Sequence, residues 1–338
     1  MFYNPRMKRL LLLLPLTLFA ADPDPIPEFK VSIERLDPAF DALIAPDAQI
    51  EKLAEGFNWS EGPTWFKGSC VFSDVPENII YQWKPGATAA TIFLKPSGML
   101  TPREGFREQG SNGLAVDAGG RLIICQHGER RIARLNADGT QTALADKFDG
   151  KRFNSPNDLA IRRNGDIYFT DPPYGLDKGN DSPLKEQPVN GVYRIGGDGK
   201  VSAVLKDVTF PNGIALSPDE KILYIAVSDG KHTNIMAYDV QADGSVANGR
   251  EFFDAEKVKK PGLKGGCDGM KVDAKGNVFA TGPGGVLVIS PAGKHLGTLL
   301  TGQQTGNCCF GDADGSELFI CADMFLCRVK TKTKGAGF

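Results

Sequence analysis

Apolar residues along this chain gather into short runs of three to five, most of them rich in Val, Ile, Leu, Phe and Tyr, and each is bounded by Gly, Asn, Asp or Pro. Examples are Leu122–Ile124, Ile167–Phe169, Ile222–Ile225, Val278–Ala280 and Leu318–Ile320. A second series follows at Ile79–Trp83, Arg131–Leu135, Val192–Ile195, Ile235–Tyr238 and Val286–Ile289. Runs of this length and composition between turn residues read as β-strands, and the 3.6-residue period of amphipathic helices is almost absent.

The strands recur in a larger unit. Asn112-Gly-Leu-Ala-Val-Asp117, Asn157-Asp-Leu-Ala-Ile-Arg162, Asn212-Gly-Ile-Ala-Leu-Ser217 and Asp268-Gly-Met-Lys-Val-Asp273 share one pattern, with looser copies at Glu61-Gly-Pro-Thr-Trp65 and Asn307-Cys-Cys-Phe-Gly-Asp312. The leading residues are 51, 45, 55, 56 and 39 positions apart, the length of a four-stranded propeller blade. About five residues after each of the last five leading residues comes a turn signal, such as Asp117-Ala-Gly-Gly or Asp273-Ala-Lys-Gly, and then another strand. That downstream turn closes the hairpin, so the leading Asn or Asp marks the entry to an innermost strand. The pattern predicts an all-β, six-bladed β-propeller with six leading residues around one mouth of its channel. The last unit lacks a fourth strand, and the strand predicted from Ile50 to Phe57 is expected to supply it, closing the ring and removing exposed sheet edges.

Residues 1–21 carry Arg6, Lys8 and Arg9, then apolar Leu10–Phe19 and small Ala20 and Ala21, which reads as a secretory signal peptide. The expected organisation is therefore signal peptide 1–21, lead-in 22–49, propeller 50–331 and tail 332–338, in an exported, periplasmic or secreted protein. With the signal removed, 36 basic side chains face 41 acidic ones, a net of −5, which offers no footprint for nucleic acid. No basic amphipathic segment suits a membrane surface. Apolar and charged contents of 41% and 24% are those of an ordinary globular domain. Of seven cysteines, Cys70, Cys125 and Cys267 read as core residues, and one disulfide is plausible among Cys308, Cys309, Cys321 and Cys327. No spacing suggests zinc.

The leading residues Glu61, Asn112, Asn157, Asn212, Asp268 and Asn307 offer oxygen donors only, two of them anionic. Converging carboxylate and amide oxygens suit a hard divalent cation, Ca²⁺ ahead of Mg²⁺, although such sets accept several ions, Mn²⁺ and Zn²⁺ among them.

Several segments are similar to the gluconolactonase family, which includes regucalcin: Trp59-Ser-Glu-Gly-Pro-Thr-Trp65, Phe153-Asn-Ser-Pro-Asn-Asp158, Phe169-Thr-Asp-Pro-Pro-Tyr-Gly175, Phe210-Pro-Asn-Gly213 and Cys267-Asp-Gly-Met270. The resemblance spans about residues 50–330. It implies a six-bladed propeller holding a divalent metal on Glu61, Asn157, Asn212 and Asp268, and hydrolysis of a sugar lactone to the aldonic acid. In that scheme Asp268 activates water, Glu61 balances charge and Asn112 lines the substrate pocket. Second strands should end near the same mouth, which brings His127, Asp171 and Tyr174 within reach, while Arg152 precedes the third leading residue and either meets substrate or pairs with Asp149. The loop from Asp171 to about Asn190 is long enough to cover a site. The competing readings are an aryl-lactone esterase of the paraoxonase type, a strictosidine synthase-like enzyme, a non-catalytic calcium- or ligand-binding propeller, and an interaction scaffold. The partner expected is a small lactone, and the protein a monomer or small homo-oligomer.

Overall fold

The computed structural model describes residues 26–337; the predicted signal segment lies outside the described residues. Six antiparallel sheets of four or five strands follow one another in sequence order. Blade 1 spans Ser60–Leu94, blade 2 Ser111–Ala145, blade 3 Leu159–Leu205, blade 4 Pro211–Asp254, blade 5 Met270–Leu300 and blade 6 Asn307–Lys330. In every blade the first strand sits at one sheet edge, and each first strand packs beside those of the two neighbouring blades, the sixth returning to the first. The predicted six-bladed propeller is therefore the fold.

Ring closure also follows the prediction. Ile50–Glu55 pairs antiparallel with Phe325–Lys330 as the outer strand of blade 6, with Ile50 opposite Val329. Upstream of it, Ser32–Arg35 adds a fifth strand to blade 5, with Ser32 opposite Leu300. The turn Pro38–Ala42 and its flank then bury Phe40, Leu43 and Ile44 against blades 5 and 6. The lead-in thus covers two outer edges that would otherwise present unpaired backbone.

The core lies between adjacent sheets, and its repeats explain how the inner strands are aimed. In blade 1, Phe57 meets Phe72 edge-on at 4.8 Å; in blade 3, Phe153 meets Phe169 edge-on at 5.0 Å. Beside each pair a buried carboxylate ends the second strand. Asp74 accepts the backbone N–H groups of Asn58 and Trp59 at 3.0 and 3.1 Å, and Asp171 accepts those of Asn154 and Ser155 at 2.8 and 2.9 Å. Each clamp fixes the chain two or three residues before a leading residue, Glu61 or Asn157.

All seven cysteines are free and buried, so the disulfide that the sequence left plausible in the last blade does not form. Cys308 and Cys309 are successive residues of one strand and face opposite sides: Cys308 packs with Cys327 between blades 5 and 6, Cys309 with Cys321 between blades 6 and 1. The thiols serve as small core groups.

Candidate active site

A cavity of about 600 Å³ opens at the mouth where the first strands begin. Glu61, Asn112, Asn157, Asn212 and Asp268 all line it, so five of the six leading residues come together there. The exception is Asn307, which sits deeper and donates through Nδ2 to Asp158 Oδ2 at 3.3 Å.

A one-way amide relay runs around part of the ring. Asn112 Nδ2 donates to Asn157 Oδ1 at 3.0 Å, Asn157 Nδ2 to Asn212 Oδ1 at 2.6 Å, and Asn212 Nδ2 to Ser228 Oγ at 2.9 Å; Ser228 passes the chain to the carbonyl of Cys267. Each amide nitrogen is thereby committed to a neighbour, and an amide oxygen keeps a second lone pair for another partner. Asn112 Oδ1 is buried and has no partner at all.

The two ring acids are in each other's field. Burial pushes Glu61 up to about 8, with the carboxylates of Asp158 and Glu108 adding to the shift and the N–H of Gly62, 2.8 Å away, opposing it. Burial also raises Asp268 well above the carboxylate range, reinforced by Glu61, Asp158 and Glu108. Carboxylates crowded this way, beside an orphaned amide oxygen and other amide oxygens with capacity to spare, form a donor set suited to a hard cation. Among the described residues no group of three or more His, Cys, Asp or Glu side chains forms a metal cluster, so any such site is a mixed carboxylate–amide one. Glu61, Asn157, Asn212 and Asp268 fit that role.

Of the other residues singled out in the sequence, Tyr174 reaches the cavity wall, with its ring stacked on Phe210 at 6.3 Å and its hydroxyl 3.4 Å from Phe210 O. Three others do not line the cavity. His127 is enclosed, its Nδ1 3.6 Å from Glu108 Oε2, neither ring nitrogen is hydrogen-bonded, and burial lowers its pKa to about 3. Asp171 is spent on the backbone clamp, where burial raises it to about 7. Arg152 belongs to a two-stranded hairpin, Lys147–Phe148 with Lys151–Arg152, and donates to Glu129 O at 2.6 Å rather than pairing with Asp149.

Sequence reasoning missed Arg107 and Glu108, which line the cavity joined by a 2.9 Å hydrogen bond between Arg107 Nη2 and Glu108 Oε1. Their backbone N–H groups both donate to Gly175 O, at 3.0 and 3.3 Å, so the loop bearing Tyr174 and the segment bearing Glu108 form one wall. A signal was present: counted back from the leading residue, Glu108 holds the place of Phe57 and Phe153 in neighbouring units. Trp59 and Lys259 also line the cavity.

Residues 59–323 match the family model described as the SMP-30/Gluconolactonase/LRE-like region. The chain is similar to a gluconolactonase of Zymomonas mobilis, 41% identical over 90% of this chain and 87% of that protein. It is also similar to rabbit (Oryctolagus cuniculus) regucalcin, at 28% identity over 79% of this chain and 84% of the other. Among solved structures, a gluconolactonase from Xanthomonas campestris superposes with a TM-score of 0.77 at 31% identity, over 92% of this chain and 98% of that one.

Proposed function

Since the chain belongs to the SMP-30/gluconolactonase/LRE-like family, we propose that it is a lactonase that hydrolyses a gluconolactone-like sugar lactone to the aldonic acid, in a site that holds a divalent cation, Ca²⁺ first among candidates. The observation that carries this reading is the convergence of Glu61, Asp268, Asn157 and Asn212 on one cavity of about 600 Å³, a volume suited to a hexose-sized ligand. When bound, the cation would polarise the lactone carbonyl and stabilise the negative charge that builds on its oxygen.

The protein's own residues supply the rest. Asp268 faces the cavity and takes the proton of the attacking water as the acyl carbon–oxygen bond forms. Glu61 holds the second negative charge of the site. The free Oδ1 of Asn112 accepts from a substrate hydroxyl, and the Tyr174 and Arg107 side chains orient the ring hydroxyls from the wall. Opening the ring breaks the acyl–oxygen bond, and the released alkoxide takes up a proton to leave a hydroxy acid. Export, with the mature chain beginning near residue 22, belongs to the same proposal and rests on the basic, apolar and small-residue order of residues 1–21.

The test is a pH-stat assay of purified protein on a panel of aldonolactones and aryl esters, with and without chelator. Acid release from aldonolactones, abolished by chelator and restored by Ca²⁺, is the expected result. Turnover of aryl esters alone would move the protein to the arylesterase class, and Ca²⁺ binding without acid release would leave a binding propeller.

A further inference from the structure

The inner strands also build a second cavity, at the far end of the channel. Three residues on from the leading residues stand Thr64, Ala115, Ala160, Ala215, Lys271 and Phe310. All six line a cavity of about 720 Å³ that shares no lining residue with the active-site cavity. The first cavity gathers the starts of the inner strands and the second gathers their far ends, so the two open at opposite mouths.

Small side chains make the space. Ala115, Ala160 and Ala215 stand in three consecutive blades where larger residues would fill it. One residue further along each strand, Trp65, Val116, Ile161 and Leu216 supply half-buried apolar walls. Gly335 and Ala336 close one side, with Ala336 N donating to Val272 O at 2.9 Å.

The charges around this cavity are paired, with one exception. Arg162 Nε lies 3.4 Å from Glu220 Oε2 and Arg163 Nη1 lies 3.6 Å from Glu220 Oε1, while Asp117 Oδ2 accepts from Arg121 Nε at 2.8 Å. Lys271 donates to Met270 O at 3.1 Å, and among the described residues no carboxylate oxygen comes within 4.0 Å of its ammonium. Burial works against that charge and the field of Asp158 sustains it, yet a field occupies no N–H group. An ammonium carries three donors, so two are left for an oxygen ligand. A mostly apolar cavity with a single polar anchor is the form of a small-molecule site.

We propose that this mouth is a second binding site, for an aliphatic monocarboxylate whose tail lies among Val116, Ile161 and Leu216 and whose carboxylate takes the spare N–H groups of Lys271. The site uses no residue of the lactonase reading and stands or falls apart from it.

The experiment titrates full-length protein by calorimetry with octanoate, and with octanol, which keeps the tail and lacks the charge. Wild type should bind octanoate at least about tenfold more tightly than octanol, the usual worth of a charge-assisted hydrogen bond. Lys271→Met should weaken octanoate at least about tenfold and leave octanol within about threefold, whereas Lys271→Arg should hold octanoate within about threefold of wild type. Ala160→Leu, which fills the cavity and keeps the charge, should weaken both ligands. Should Ala160→Leu fail to fold, the two Lys271 variants decide alone. Wild type that binds no octanoate, equal affinity for octanoate and octanol, or octanoate binding that survives Lys271→Met overturns the site. Competitive inhibition of lactone hydrolysis by octanoate would place the ligand in the other cavity and overturn it too.

Discussion

Asn157 Nδ2 lies 2.6 Å from Asn212 Oδ1, so residues leading two adjacent blades are tied to each other at the level of the cavity. The bond sets the direction of the whole relay from Asn112 to Ser228, because an amide that donates forward must present its oxygen backward. Asn212→Ala removes an acceptor and a donor at once and leaves Asn157 Nδ2 buried without a partner. Ca²⁺ affinity, read by calorimetry, should fall at least about tenfold. Retained wild-type affinity would take Asn212 out of the donor set.

Asp268 is expected to act in turnover beyond holding charge. At saturating Ca²⁺, Asp268→Asn should lower kcat by about 10²–10⁴-fold, the usual contribution of a general base. Glu61→Gln should act mainly on the metal concentration needed for half-maximal rate. If the Asp268 variant binds Ca²⁺ and lactone and turns over like wild type, the base is another group.

Asp74 predicts a pH effect on stability. Burial raises its pKa to about 6, against which the N–H groups of Asn58 and Trp59 work. The folded protein therefore keeps this proton up to about pH 6, whereas the unfolded chain releases it near pH 4. Its contribution favours folding below pH 4 and declines as pH rises through the interval from about 4 to 6, by about 3 kcal/mol in all. Asp74→Asn should flatten the stability profile across that window. Denaturant melts at several pH values test it, and parallel curves for the two proteins would refute it.

Gly269 has no room for a side chain, since its Cβ would overlap the Asn307 amide, which in turn contacts Asp158. Gly269→Ala should destabilise the protein by about 1–3 kcal/mol, as other overpacked sites do, and lower Ca²⁺ affinity by displacing Asn307, whose amide lies against Glu61. Thermal melts with and without Ca²⁺ separate the two effects.

The buried thiols predict chemical silence. Burial raises the pKa of Cys70, Cys125 and Cys321 well above normal and pushes Cys267, Cys308 and Cys327 to about 12. A thiol-specific chromogenic reagent should find almost none in native protein and seven in guanidinium, with no gain after reduction.

The features visible in the sequence are those that repeat. Six units, the outer strand from Ile50 and the convergence of five leading residues all follow from one pattern recurring at blade length. Asp171 repeats too, but as a clamp: it stands at the end of a second strand as Asp74 does, and comparing the two would have shown both as backbone acceptors. Glu108 broke a phase that Phe57 and Phe153 hold in the neighbouring units, but Arg107 was illegible, because the segments that join one blade to the next differ in length and conformation. The fifth strand Ser32–Arg35 was hidden for a related reason: a lone edge strand has one partner, Leu300 opposite Ser32, and no copy of itself elsewhere in the chain.

The antiparallel seam of Ile50–Glu55 on Phe325–Lys330 joins positions almost 280 residues apart. A chain emerging from a ribosome or a translocation pore has built five blades before that seam can zip. Glu61 waits without Asp268 until blade 5 forms, and without Asn307 until blade 6 does. Contacts of such long range fold slowly. The cation pocket is therefore among the last things this molecule makes, and losing either half of the seam would open the circle that holds it.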